Sequence, residues 1–352
     1  MTARTYLTFD IGGTKIASAF VTLPDRIHQG KYERDDKPQV QDLQEIPTQA
    51  DLGGAVLCRR LVDCARGRLK EAAKPGGMPI AGIGIATAGV PDSRNGVILS
   101  ATDILPGWRG QRVYDAFAAA TDIPVHMIGD VSAHGIGEAI FGAGSGNEVV
   151  LSLGVGTGIG GALIVNGRLF TGAHGAAGHL GHVASRLGKG FRCSCGTMEG
   201  HIEPVASGTG LRDLYNVTLP VNVADATMVP DGVEVARRAM AGEEHAMRTI
   251  AASAHALGFV LGGIANTVDP DVVIVSGSVV KAGPQWWDAL RSGFVASALP
   301  LIRPTPLIEG ELGGSAPLIG AAVAAERSLF HALSAGCAAA PLSATKARMS
   351  HK

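Results

Sequence analysis

Two glycine-rich turns and one cluster of thiols and imidazoles carry most of the chemistry that this sequence offers. The first turn is Asp10-Ile11-Gly12-Gly13-Thr14-Lys15. Glycines let backbone N–H groups approach phosphate oxygens, and the Thr14 hydroxyl adds a donor. Asp10 is suited to orient Mg2+ through water, and Lys15 to neutralise phosphate charge. The spacing is not that of a G-x-x-x-x-G-K-[ST] loop, and a strand rather than a helix follows, which sets aside a dinucleotide fingerprint. An ordinary hairpin turn is the alternative. The second turn, Gly154-Val155-Gly156-Thr157-Gly158-Ile159-Gly160-Gly161, holds five glycines in eight residues, where a plain hairpin needs about one or two. The excess points to a ligand held close to Gly156, Thr157 and Gly158. A third element, Val275-Ser276-Gly277-Ser278, ends an apolar run. Open α/β sheets meet ligands at such ends, so Gly277 is a candidate cover for a nucleotide base, with a simple strand–loop turn as the alternative.

His182, Cys193, Cys195 and His201 are spaced H-x10-C-x-C-x5-H within a stretch rich in glycine and histidine. Thiolates and imidazoles suit Zn2+, which takes four such ligands in a structural site and leaves no position open for chemistry. Two reduced surface thiols near two histidines would be the bland reading. Asp130 follows the strand-like Pro124-Val125-His126-Met127-Ile128-Gly129, at the end where a sheet meets its ligand. A carboxylate there suits a general base; the position equally fits an N-cap for the helical stretch 131–141.

The elements that must hold these residues are legible in the hydrophobic pattern. Residues 5–10 and 16–22 read as strands flanking the first turn, and 148–165 repeats that layout around the second. The recurrence predicts two similar halves with both turns facing one ligand. Residues 54–73 and 243–268 read as helices, 80–89, 124–130 and 272–278 as buried strands, and 314–330 as an alanine-rich helix. The zone 170–203 reads as loop, 28–50 as a polar surface excursion, and the tail 336–352 as flexible.

Composition narrows the class. The chain has 352 residues, enough for two lobes, and a formal net charge of -1 with 5% aromatics, so neither a nucleic acid nor an anionic membrane is an expected partner. No basic, apolar leader precedes the first strand, and no stretch reads as membrane-spanning. Five cysteines, three of them isolated, do not make a disulfide framework. The expected compartment is the cytoplasm.

Taken in order, D-I-G-G-T-K, the strand-end Asp130, G-x-G-T-G-x-G-G, A-G-x-x-G-H, C-x-C-G and the closing turn Val275-Ser276-Gly277-Ser278 resemble the ROK family (repressor, open reading frame, kinase) from about residue 5 to about residue 330. The resemblance implies an α/β actin-like ATPase (ribonuclease H-like) fold of two lobes with an interlobe cleft. It implies ATP with Mg2+ and a sugar as ligands, a structural Zn2+, and a homodimer. The lobes are expected over 1–128 plus 315–335 and over 129–314. Asp130 matches the family's catalytic Asp, which takes the proton of the attacking hydroxyl.

By the same resemblance Asp103, Gly129, His179 and Glu203 stand at sugar-contacting positions. Three of these depart from the usual pattern. Asp103 replaces Asn in the Leu105-Pro106-Gly107-Trp108 segment, Gly129 replaces Asn before the catalytic Asp, and His179 replaces Glu. In the metal loop His201 stands where a third Cys is usual. The His179 exchange is similar to bacterial N-acetylmannosamine kinases of the family, and Gly129 leaves room for an N-acyl group. The expected reaction is transfer to the 6-hydroxyl of an N-acylhexosamine or hexose, with N-acetylmannosamine first and glucose or N-acetylglucosamine next. Family repressors carry an N-terminal helix-turn-helix, for which the start at Asp10 leaves no space. A catalytically silent sugar-binding protein is the other alternative.

Overall fold

The computed structural model describes residues 3–25, 37–102, 104–196, 199–220 and 227–334. Asp103 and the tail 336–352 lie outside the described residues, as do 26–36 of the polar segment. Two compact units emerge. One takes in the described residues up to Asp130 and from Leu318 onward; the other is Val131–Pro317.

The first unit is built on β1 (Arg4–Ile11), β2 (Lys15–Leu23), β3 (Gln39–Pro47), α1 (Gly54–Ala72), β4 (Ile80–Thr87), the short pair β5 (Val90–Asp92) and β6 (Val97–Ser100), α2 (Val113–Ala118) and β7 (Val125–Gly129). Its five strands run in the order β3-β2-β1-β4-β7. The first three are antiparallel and the last two join in parallel. Alternation along β1 serves two faces. Leu7, Phe9 and Ile11 pack with Leu57, Leu61 and Ala65 of α1 and with Trp108 and Phe117. On the other face lies α9 (Ala316–Ser334). A Cβ on Gly84 would come within 2.4 Å of the Ala321 carbonyl, so this glycine lets helix and strand touch backbone to backbone. A sheet covered on both faces needs near-continuous apolar strands, which is how β1, β2 and β4 read.

The second unit repeats the plan. Following α3 (Asp130–Phe141) come β8 (Val149–Val155), β9 (Ile159–Val165), β10 (Arg168–Leu169), α4 (Glu203–Ala206), α5 (Gly208–Val217), α6 (Gly232–Met240), α7 (Glu244–Val268), β11 (Val272–Ser276), α8 (Pro284–Ser297) and β12 (Leu307–Glu309). The sheet order is β10-β9-β8-β11-β12, with the same antiparallel and parallel joints in the same places. Leu151, Leu153, Val273 and Val275 face Ile250, Leu257 and Leu261 of α7. Val150, Ile164 and Ile274 face Ala139 of α3. Each glycine turn is therefore the first hairpin of its own sheet: Gly12–Thr14 joins β1 to β2, and Gly156–Gly158 joins β8 to β9.

Two expectations need correction. Residues 39–47 of the polar segment are strand β3, not a surface excursion. As an edge strand paired only to β2, it exposes most of its side chains and shows no apolar alternation to read. And α7 is long and apolar enough by composition to cross a membrane, although 56% of its most apolar window is buried inside the protein. It is a core helix, flat against α8 because Gly258 and Gly293 lack side chains where the backbones meet.

Candidate active site

In the first unit, strand register brings the predicted phosphate turn and the predicted base to one sheet end. Ile11 of β1 pairs with Thr87 of β4, and Thr87 pairs with Gly129 of β7. Asp10 and Asp130 thus both emerge at the carboxyl ends of parallel strands. Asp10 is partly buried, and its carboxyl is pushed up to about 7. Burial is the larger cause; the nearby Asp130 charge adds to it, and Lys15 opposes it. Two acids this close resist ionising together. Lys15 itself is exposed and forms an ion pair with Glu45 of β3.

The turn is held from outside by a residue the sequence reading passed over. Thr48 is fully buried, donates its N–H to the Thr14 carbonyl (2.9 Å) and its hydroxyl to the Gly12 carbonyl (2.7 Å). Both carbonyls are satisfied from one side, and the Gly12 N–H bonds to the Lys15 carbonyl (3.0 Å). A Cβ on Gly13 would strike the Ile104 side chain at 2.2 Å. Ile104 begins the segment that follows Asp103, and the buried Trp108 anchors this segment by donating its indole N–H to the Thr87 hydroxyl (3.0 Å).

In the second unit the glycine turn, the histidine loop and the thiols form one connected structure. The Gly156 N–H closes its turn onto the Gly158 carbonyl (2.9 Å), and nothing lies within 4 Å of where a Cβ on Gly156 would stand. Gly277 follows β11 with φ 107°, and a Cβ there would lie 2.3 Å from the Val155 carbonyl. Only glycine suits that position, which seats Gly277 beside the turn holding Thr157.

Gly178 and Gly181 let the loop bearing His179 and His182 lie flat on β9. Their Cβ atoms would meet the carbonyls of Gly161 and Ile159 at 2.2 and 2.4 Å. His179 hydrogen-bonds through Nδ1 to the Ala176 carbonyl (2.9 Å). With the carbonyl as acceptor, Nδ1 carries the proton, and Nε2 is the free ring nitrogen.

Glu203 opens α4. Its Oε2 accepts the Ile159 N–H (2.9 Å), and its Oε1 accepts the Ser194 hydroxyl (2.6 Å). The carboxylate therefore bridges the glycine turn and the cysteine loop, a pairing that spacing alone did not indicate.

The ligand atoms of His182, Cys193, Cys195 and His201 all lie within 4.8 Å of one another. Cys193 Sγ stands 3.3 Å from His182 Nδ1, and Cys195 Sγ stands 3.5 Å from His201 Nδ1. Bonds of about 2.0–2.3 Å around a tetrahedral ion put ligands about 3.3–3.8 Å apart, so this donor set fits Zn2+. Burial pushes the His182 imidazole below its ordinary value, in the direction that favours the neutral, ligating form. The loop is shaped by a bridge between Ala184 and His201 and another between Arg192 and Glu199.

Glu138 also escaped the sequence reading. It lies on α3, two helical turns after Asp130, fully buried. Its carboxylate accepts N–H bonds from Ala143 (3.1 Å), Glu311 (3.0 Å) and Leu312 (2.8 Å), tying α3 to the chain that leads into α9.

A family model described as the ROK family matches residues 56–328. A glucokinase from Halalkalibacterium halodurans is 30% identical, over 91% of this chain and 94% of its own length. An N-acetylmannosamine kinase from Escherichia coli is 29% identical, over 92% and 98%. Among solved structures, a ROK family glucokinase from Streptomyces griseus in complex with glucose and AMPPNP aligns with a TM-score of 0.70 and 26% identity, covering 92% of this chain and 99% of that one.

Proposed function

The chain belongs to the ROK family as an ATP-dependent sugar kinase of the actin-like fold, and on that premise we propose that it phosphorylates the 6-hydroxyl of an N-acylhexosamine, N-acetylmannosamine first. The observation that carries the acceptor reading is His179. Its Nδ1–H is committed to the Ala176 carbonyl, so it offers a sugar a single ring nitrogen where the family usually has a bidentate carboxylate. Gly129, with no side chain beside the base, leaves room for an acyl substituent.

In this reading Asp130 accepts the proton of the 6-hydroxyl as the bond to the γ-phosphorus forms and the bond to the bridging oxygen of ADP breaks. Phosphoryl transfer depends mainly on positioning and charge neutralisation. The N–H groups of Gly13 and Gly158 and the hydroxyls of Thr14 and Thr157 hold the phosphates, Gly12 and Gly156 shape the two turns through their own N–H bonds to Lys15 and Gly158, and Gly277 lines the nucleotide side. Asp10 would hold Mg2+ beside the phosphates, and the ion would supply neutralisation of their charge. His179, Glu203 and Asp103 orient the ring. His182, Cys193, Cys195 and His201 would hold a structural Zn2+, which would supply rigidity to the loop and no chemistry. A homodimer belongs to the same reading and is checked by light scattering.

Glucose is the second acceptor to consider, favoured by the similarity to glucokinases. Comparing kcat/KM for N-acetylmannosamine, N-acetylglucosamine and glucose decides between them. Preference for N-acetylmannosamine that moves toward glucose in His179→Glu supports the proposal. Preference for glucose in the unmodified protein, unchanged by that substitution, rejects it.

A further inference from the structure

Glu203 is held from two sides, and only one of the two holds comes from the sheet. The Ile159 N–H fixes Oε2 from the first residue of β9, and the Ser194 hydroxyl fixes Oε1 from the cysteine loop. A single hydrogen bond leaves a carboxylate free to turn about that bond; a second on the other oxygen fixes its plane. A carboxylate offers about four lone-pair positions. The Ile159 N–H and the Ser194 hydroxyl use one on each oxygen, and the Cys193 Sγ also lies 4.0 Å from Oε1, which leaves a position on Oε2 for a hydroxyl group of a ligand.

We propose that Ser194 is the positioning residue of the sugar site, aiming the Glu203 carboxylate and so coupling the cysteine loop to sugar affinity. The inference rests on the sugar-kinase reading and deepens it. Ser194 lies between Cys193 and Cys195, both in the four-residue donor cluster. When both thiolates share one ion, the backbone at Ser194 is fixed at both ends, and its hydroxyl with it. Groups one step removed from a metal act in this way, by orienting what lies next to them. Preorganised groups bind more tightly because less ordering is left to do on binding. The glycine turn touches Glu203 through Ile159, not through Ser194, so nucleotide binding is independent of this hydroxyl.

The test uses the full chain and Ser194→Ala. The dissociation constant of the best sugar of the panel is measured by calorimetry, beside metal content per chain, melting temperature and KM for ATP. The expected result is a sugar dissociation constant raised about fivefold, the effect of one hydrogen bond, with metal content and KM for ATP unchanged. Ser194→Thr, which keeps the hydroxyl, restores sugar affinity, and Ser194→Ala adds nothing in a Glu203→Gln background. Unchanged sugar affinity in Ser194→Ala overturns the proposal, as does a loss of affinity accompanied by loss of metal, which marks a loop-folding role alone. If the unmodified protein binds no sugar at all, the kinase reading fails and takes this inference with it; the two failures are thereby told apart.

Discussion

The carboxylates of Asp10 and Asp130 share one sheet end, and the charge of Asp130 adds to burial in holding the Asp10 carboxyl protonated up to about pH 7. A raised folded-state value means that the folded chain keeps a proton which the unfolded chain gives up near 4. Stability contributed by this group is full below about pH 4 and is lost as pH rises through about 7. Asp10→Asn, which cannot ionise, should therefore melt higher than the unmodified protein at pH 8. That gain should shrink as pH falls from 7 toward 4. Thermal melts across this range check it, and Mg2+ with nucleotide should reverse the order by favouring the charged Asp10.

If Asp130 is the base, its loss should be felt in turnover rather than in binding. Asp130→Asn should lower kcat by about 10²–10⁴ while leaving KM for ATP within about twofold, since a hydrogen-bonding amide still occupies the site. Steady-state kinetics against the preferred sugar provides the check.

The donor cluster should hold one metal ion per chain. Cys193→Ser should lose it, and chelation of the unmodified protein should lower the melting temperature, since ligand binding to the folded state alone is stabilising. His201→Cys should keep the ion, because a thiolate also suits zinc. Metal analysis by mass spectrometry checks all three.

Much of the fold, and the placement of the candidate site residues on it, was legible because the signals were local. Apolar runs on either side of Gly12–Thr14 and Gly156–Gly158 gave two hairpins, and the strand-end position of Asp130 needed no partner to be noticed. What escaped depends on contacts far apart in the chain. β3 is an exposed edge strand whose polar residues carry no period-2 pattern. Thr48 matters only because the residue after β3 returns to the Gly12–Thr14 turn, and Glu138 only because residues 173 and 174 positions later meet it. A glutamate on an apolar helix face gives no hint of which backbone groups it will serve.

Glu138 provides a stability prediction of its own. Replacing it with Gln turns one acceptor oxygen into a donor facing backbone N–H groups, leaving at least one unsatisfied. The expected cost is about 2 kcal/mol or more, read by urea denaturation. Because α3 also carries Asp130, kcat should fall along with stability, and Glu138→Asp should recover part of both.

The most direct test of the account is ADP release with Mg2+ and ATP against a panel of hexoses and N-acylhexosamines, with Asp130→Ala beside the unmodified protein. Sugar-dependent ADP release is expected, highest with N-acetylmannosamine and abolished in Asp130→Ala. Folded, metal-loaded protein that releases no ADP with any sugar, or that releases it equally well without Asp130, would contradict it.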